Sequence, residues 1–250
     1  MLHRLRRHPL PVAAHFRHSL VLAYAVPRET LAPLLPPSLE LDGQGEFGFA
    51  AAAFVQTERL RPAFLPAALG LNFFLAGYRV FVRVAAQPSL RGLYILRSDA
   101  DRRPVVVLGN ALTHYRYRKV DASCHLADGI LEIRVRPGVD VAADLTGAPA
   151  PLPEGSPFAD EREARRFAGP LPYTFHHERE SGSLLAVRGV RSGWEPRPVA
   201  VSVLELSFFA SGPFAEAQAK PANAFYVGDV DYRWERGRLI GAGAKNGEEG

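Results

Sequence analysis

EFGFAAAAFVQTERL, residues 46–60, is the stretch on which the fold turns. Four consecutive alanines favour a helix, and a helix between two apolar strands would give an α/β chain. Phe47 and Phe49 alternate, however, and Gly45 and Gly48 interrupt any helical turn, so the stretch is read as one long strand. The neighbours agree. HSLVLAYAV (18–26) has the apolar density of a buried strand. Pro27 opens the short helix PRETLAPLL, which Pro33, Pro36 and Pro37 keep short. LELD (39–42) returns as a strand before the Gly43–Gly45 turn. FFLAGYRVFVRVAAQ (73–87), RGLYILRSDA (91–100) and RPVVVLGNALTHYRYRKV (103–120) follow as three more strands.

Further on, SCHLADGILEIRVRPG (123–138) reads as a hairpin around Asp128-Gly129, and DEREARRFA (160–168) as a short exposed helix. YTFHHERE and SLLAVRGV form a second hairpin across Ser181-Gly182. VAVSVLELSFF (199–209) and AFYVGDVDYRWERG (224–237) close the chain. This gives about ten strands, two short helices and no βαβ rhythm. The expected fold is mainly β (α+β), a large antiparallel sheet or barrel in one domain over residues 18–240. Residues 1–17 read as a basic N-terminal arm and 241–250 as a disordered tail.

Composition narrows the function. The 250 residues carry a net charge of only +4, spread along the chain, which argues against nucleic acid. No apolar run approaches a membrane span. Ala23-Tyr24-Ala25 could end a signal peptide, but SLVLAYAV suits a strand better. Cys124 is the single cysteine, so an intramolecular disulfide and a cysteine zinc cluster are both excluded, and a cytoplasmic location is expected. No nucleophile elbow or phosphate loop is present. His176 and His177 are neighbours on a strand and face opposite sides, so no shared metal is expected. Asp229 and Asp231 share a face and read as a solvated edge.

Arginine outnumbers lysine 27 to 3, which makes Lys119 conspicuous within NALTHYRYRKVDAS (110–123). A lysine beside other cations is one recipe for an amine of lowered pKa and hence for a Schiff-base nucleophile. Strand alternation would place Tyr115, Tyr117 and Lys119 on one face and His114, Arg116 and Arg118 on the other. The first face would make a tyrosine-lined pocket with one amine. The second would make a basic site for a carboxylate or phosphate. Either face could also simply be solvated. Arg79 lies in an apolar strand and needs a partner, which could be an anionic ligand or Asp99. Asn110, mid-strand among apolar residues, could offer a cavity hydrogen bond, or be a satisfied core amide, the reading favoured. Trp194 reads as a core or rim aromatic.

Four stretches carry a family likeness: AYAVPRETLAPLLPPSLELDG (23–43), YRVFVR (78–83), LRSDADRRPVVVLGNALTHYRY (96–117) and the Trp194-Glu195-Pro196 element before the closing strands. In order and spacing the chain resembles the YqjF-like family of uncharacterised bacterial proteins, distant relatives of acetoacetate decarboxylase. The resemblance implies a cone-shaped, partly open antiparallel β-barrel around a cavity. It also implies a possible Schiff base between a lysine and a β-keto acid, with no cofactor.

The decarboxylase carries paired lysines in a Pro-Lys-Lys segment. By register Arg116, Tyr117 and Arg118 stand there, and Lys119 lies one residue beyond. The decarboxylase's acidic residue maps to Leu75 or Ala76, and its early arginine to Ala25. The scaffold is thus expected to be kept and the decarboxylase chemistry lost. The leading expectation is a small-molecule cavity for an organic acid or carbonyl compound. It would be lined by Arg79, Asn110, His114, Tyr115, Arg116, Tyr117 and Arg118, with a homo-oligomer as a possible assembly. The alternatives are a lyase-like Schiff-base enzyme using Lys119 on a keto acid, and a structural protein with a filled barrel.

Overall fold

A computed structural model describes residues 2–168, 171–178 and 180–240. The chain runs β1 (Val12–Pro27), α1 (Arg28–Leu31), β2 (Leu39–Leu41), β3 (Phe47–Pro62), β4 (Leu71–Val84) and β5 (Gln87–Ala100). It continues through α2 (Arg103–Leu112), β6 (Tyr117–Lys119), β7 (Asp121–Ala127), β8 (Ile130–Arg136) and β9 (Val139–Asp144). After α3 (Glu161–Ala168) come β10 (Tyr173–Glu178), β11 (Ser183–Arg191), β12 (Arg197–Pro198), β13 (Ala200–Leu206), β14 (Lys220–Trp234) and β15 (Arg238–Ile240).

The opening stretch is strand β3, paired with β1 on one side and β4 on the other. Magnitudes explain why its alanines do not form a helix. Four alanines favour helix by about 0.5 kcal/mol apiece over an average residue. Burying Phe49, Phe54 and Val55 contributes about 1.5–3 kcal/mol each, and all three are at most 4% exposed. Small alanines also let both faces of the strand be covered. Ala50, Ala52 and Phe54 pack with Leu131, Ile133 and Val141 of a second sheet. Ala51, Ala53 and Val55 point the other way, with Val21, Phe81 and Phe225.

The main sheet has 11 strands and closes on itself. Its ring runs β14-β1-β3-β4-β5-β10-β11 and returns to β14 through the pairing of Val190 with Arg233. Edge closure removes exposed ladder groups and encloses an interior. A 4-stranded sheet, β13-β9-β8-β7, covers the outer face of the β1, β3 and β4 wall. The architecture is therefore the expected mainly β one with few short helices. It is a mixed sheet rather than a purely antiparallel one, because β5 runs parallel to both β6 and β10.

Residues 103–112 overturn one expectation: they form helix α2, not the start of a strand. Pro104 sits in the first turn, where its missing N–H costs nothing. The valine run that signalled a strand is spent otherwise. Val105 is buried against Phe73 and Ala100, while Val107 stays 66% exposed. The strand alternation argued for residues 113–119 fails with it, because Arg116 takes a left-handed φ of 55° and only Tyr117–Lys119 are extended.

Strand β1 begins at Val12, so residues 12–17 belong to the ring. The segment before it is docked as well. The His8 amide donates to the Leu112 carbonyl at 3.0 Å, and Arg7 grips the buried Glu178 carboxylate at 2.8 and 2.6 Å. The expected tail, 241–250, lies outside the described residues.

Candidate functional site

The ring interior is not filled. A cavity of about 110 Å³ remains, with Arg79, Arg191, Tyr115, Tyr117, Trp194 and Tyr232 in its wall. A single water needs about 10–15 Å³ on this measure, so there is room for several waters or a small organic molecule.

Arg79 reaches it by strand alternation. Its β4 neighbours Tyr78 and Val80 face the second sheet, and Arg79 faces inward. Gly77 makes the space, since a Cβ there would lie 2.8 Å from an Arg79 terminal nitrogen. Part of the guanidinium borders the cavity, but its Nε is buried and has no hydrogen-bond partner. Burial pulls the Arg79 pKa down from its ordinary value. An arginine nevertheless stays charged in proteins, so the cavity wall carries a cation. The anticipated partner Asp99 is engaged elsewhere, with Arg118 at 2.9 Å and Arg97 at 3.0 Å. Among the described residues Arg79 makes no ion pair.

The tyrosines come from the turn between α2 and β6. Asn110 holds Tyr117 as a β-ladder would. Its Nδ2 donates to the Tyr117 carbonyl at 2.8 Å, and its Oδ1 accepts from the Tyr117 amide at 2.9 Å. Asn110 is absent from the cavity wall, so it positions Tyr117 from the helix instead of facing a ligand. Gly109 interrupts a helix at a cost of about 1 kcal/mol. A Cβ there would come within 2.4 Å of the Tyr117 ring. Burial pushes the Tyr117 hydroxyl up to about 12 and moves Tyr115 and Tyr232 in the same direction. All three are therefore hydrogen-bond donors at neutral pH. The Trp194 indole N–H is buried without a partner, like the Arg79 Nε, while the Tyr115 hydroxyl lies beside the Thr174 side chain. Buried donors of this kind are rare, and two of them border one small cavity.

The other expected site residues lie elsewhere. Lys119 is exposed, and its amine donates to the Val120 carbonyl at 2.7 Å and to Asp121 at 2.9 Å. Arg116 is exposed, and Arg118 is spent on Asp99. His114 stacks flat on His176, ring centres 3.7 Å apart, in a tight crevice beside the cavity. The structure thus brings together Arg79, Tyr115 and Tyr117 from the anticipated set. It adds Arg191, Trp194 and Tyr232, of which only Trp194 had been singled out, as a core or rim aromatic. Arg191 lies 4.7 Å over the Trp194 ring and 5.9 Å over that of Tyr232. Among the described residues no group of His, Cys, Asp and Glu could hold a metal ion, and no helix is long and apolar enough to cross a membrane.

The profile of DUF2071, described as an uncharacterized conserved protein, matches residues 13–231. The chain belongs to the DUF2071 family. No curated protein matches it significantly in sequence. Solved structures share the fold of this DUF2071 chain. Acetoacetate decarboxylase from Legionella pneumophila superposes with a TM-score of 0.62 at 12% identity, covering 93% of this chain and 88% of that one. An acetoacetate decarboxylase-like enzyme from Sphingomonas wittichii RW1 gives 0.60 at 12% identity, with 95% of both chains covered. The enduracididine biosynthesis enzyme MppR, complexed with pyruvate, gives 0.55 at 14% identity, covering 92% and 90%. At these identities the likeness establishes the fold alone.

The histidine stack in the DUF2071 chain makes its stability depend on pH. Burial, then His114 and Arg116, depress the His176 pKa to about 3, and burial lowers that of His114 too. Unfolded, both would titrate near 6.5. Below that pH the unfolded chain binds more protons, so the stabilisation is complete above pH 6.5 and is lost as the pH falls towards 3. The melting temperature is expected to be lower at pH 5 than at pH 7.5. His176→Phe, which keeps an aromatic face for His114, is expected to reduce that difference. An unchanged difference would contradict this account.

Proposed function

We propose that the chain binds a small organic acid in the ring cavity without forming a Schiff base. The observation that carries this is Arg79, a cation in the cavity wall with no counter-ion among the described residues. An unpaired interior charge is costly, and a carboxylate on its planar guanidinium would relieve that cost. Trp194 adds an unpartnered donor suited to a carboxylate or carbonyl oxygen. Solved structures of the same fold include one with pyruvate bound, which supports a ligand of that size.

The covalent alternative finds no amine at the cavity among the described residues. None of their lysines borders it, and Tyr117, at the register position of the decarboxylase's lysine, keeps its proton with a pKa of about 12. Lys119 is held in an exposed ion pair. The test is to incubate the protein with pyruvate and borohydride and then measure intact mass and melting temperature. The expected result is a higher melting temperature with pyruvate, no mass gain, and the same behaviour in Lys119→Ala. A borohydride-trapped adduct on any lysine would refute the non-covalent reading.

A further inference from the structure

The wall of the cavity has a second side. Arg191 and Tyr232 also border an open cleft of about 450 Å³, whose lining includes Arg59, Arg61 and Arg233. The two spaces thus meet at a cation and a phenol. Among the described residues none of these four arginines makes an ion pair. Some arginines elsewhere on the surface are matched, as Arg17 is with Asp229 and Arg188 with Glu235. One carboxylate, Asp231, borders the cleft, and His15 holds it at 3.0 Å.

The arginines are aimed there by specific devices. Arg59 has a left-handed φ of 56° where the pairing of β3 slips against both β1 and β4. Such a bulge re-aims side chains and costs backbone energy, which points to use of the site. Asn72 accepts the Arg59 amide at 2.9 Å and fixes the bulge. Arg61 is braced by donating to the Leu65 and Arg59 carbonyls at 3.0 and 2.9 Å. Arg233 comes from β14, opposite Val190.

We propose that the ligand carries an anionic group at each end. Building on the reading of the inner cavity, its first carboxylate lies on Arg79. Its second anionic group, a carboxylate or a phosphate, lies in the outer cleft on Arg59 and Arg233, with Arg191 between. Bidentate guanidinium contacts recognise either anion, and the open basic cleft raises the local concentration of such ligands.

Calorimetric titration with two matched series tests this: straight-chain monocarboxylates and dicarboxylates of three to six carbons. At the length that spans both compartments, the dicarboxylate is expected to bind at least tenfold more tightly than the monocarboxylate of equal carbon number. The double variant Arg59→Gln/Arg233→Gln is expected to abolish that advantage and to leave monocarboxylate affinity within about twofold. A carboxylate-phosphonate of the same length identifies the outer group. Tighter binding than the dicarboxylate assigns phosphate, and weaker binding assigns carboxylate. Equal affinity for the two series, or equal weakening of both by the double variant, would overturn the proposal. If monocarboxylates bind Arg79→Met as well as wild type, the inner-cavity reading fails and this one falls with it.

Discussion

Arg79→Met is expected to raise the melting temperature of the ligand-free protein while abolishing its stabilisation by pyruvate. The methionine keeps most of the aliphatic bulk between Gly77 and the tyrosines and removes a charge that has no partner. Replacing buried ionic groups by apolar ones of similar volume is often worth about 1–4 kcal/mol. Arg79 borders the cavity, so the lower part of that range applies. A gain of about 1–2 kcal/mol corresponds to about 2–8 °C for a chain of this size. Opposite signs for stability and binding are the mark of a residue kept for a ligand. Thermal denaturation with and without pyruvate reads both. A lower melting temperature in Arg79→Met would mean that the guanidinium supports the fold instead.

Asn110→Ala is expected to have the opposite pattern, losing stability and binding together. Two hydrogen bonds to the Tyr117 backbone disappear at once. An unmade bond to a partly buried peptide group costs about 1–3 kcal/mol. The combined loss is about 2–6 kcal/mol, which lowers the melting temperature by about 4–24 °C. Tyr117 is then no longer clamped, and affinity for the small acid falls with it. Asn110→Asp keeps the acceptor for the Tyr117 amide but not the donor to its carbonyl, so about half the loss is expected. Equal stability of Asn110→Ala and wild type would show that β6 is held by its pairing with β5 alone.

The contrast between 46–60 and 103–112 explains what was legible in the sequence. Both stretches carry mixed signals. In the first, Phe49, Phe54 and Val55 are buried on two faces of one strand, so period and burial agree and outweigh the alanines. In the second, three valines imitate a strand, while a single buried contact, Val105 on Phe73 and Ala100, fixes the helix. Ala100 ends the strand just before the helix, but Phe73 comes from the start of β4 and leaves no local trace. For Asn110 the strand context was misread with its helix, while the favoured reading as a satisfied amide agrees with its two hydrogen bonds from α2 to the Tyr117 backbone.

Arg79 was legible because a lone cation in an apolar strand demands a partner. What the sequence could not supply was that Asp99 is already taken by two other arginines. Arg191 and Tyr232 meet only because β11 pairs with β14 to close the ring, across more than thirty residues of chain. The alternation of Val230, Tyr232 and Trp234 marked an apolar face without saying what it would face.

The central claim is that the cavity holds a small acid on Arg79 with no covalent bond to the chain. A crystal structure with pyruvate tests it most directly. The predicted result is a carboxylate within about 2.7–3.0 Å of the Arg79 guanidinium, beneath Tyr115 and Tyr117, with density separate from every side chain. Density continuous with Lys119, or pyruvate on the exposed Arg116 with the ring cavity unchanged, would contradict it.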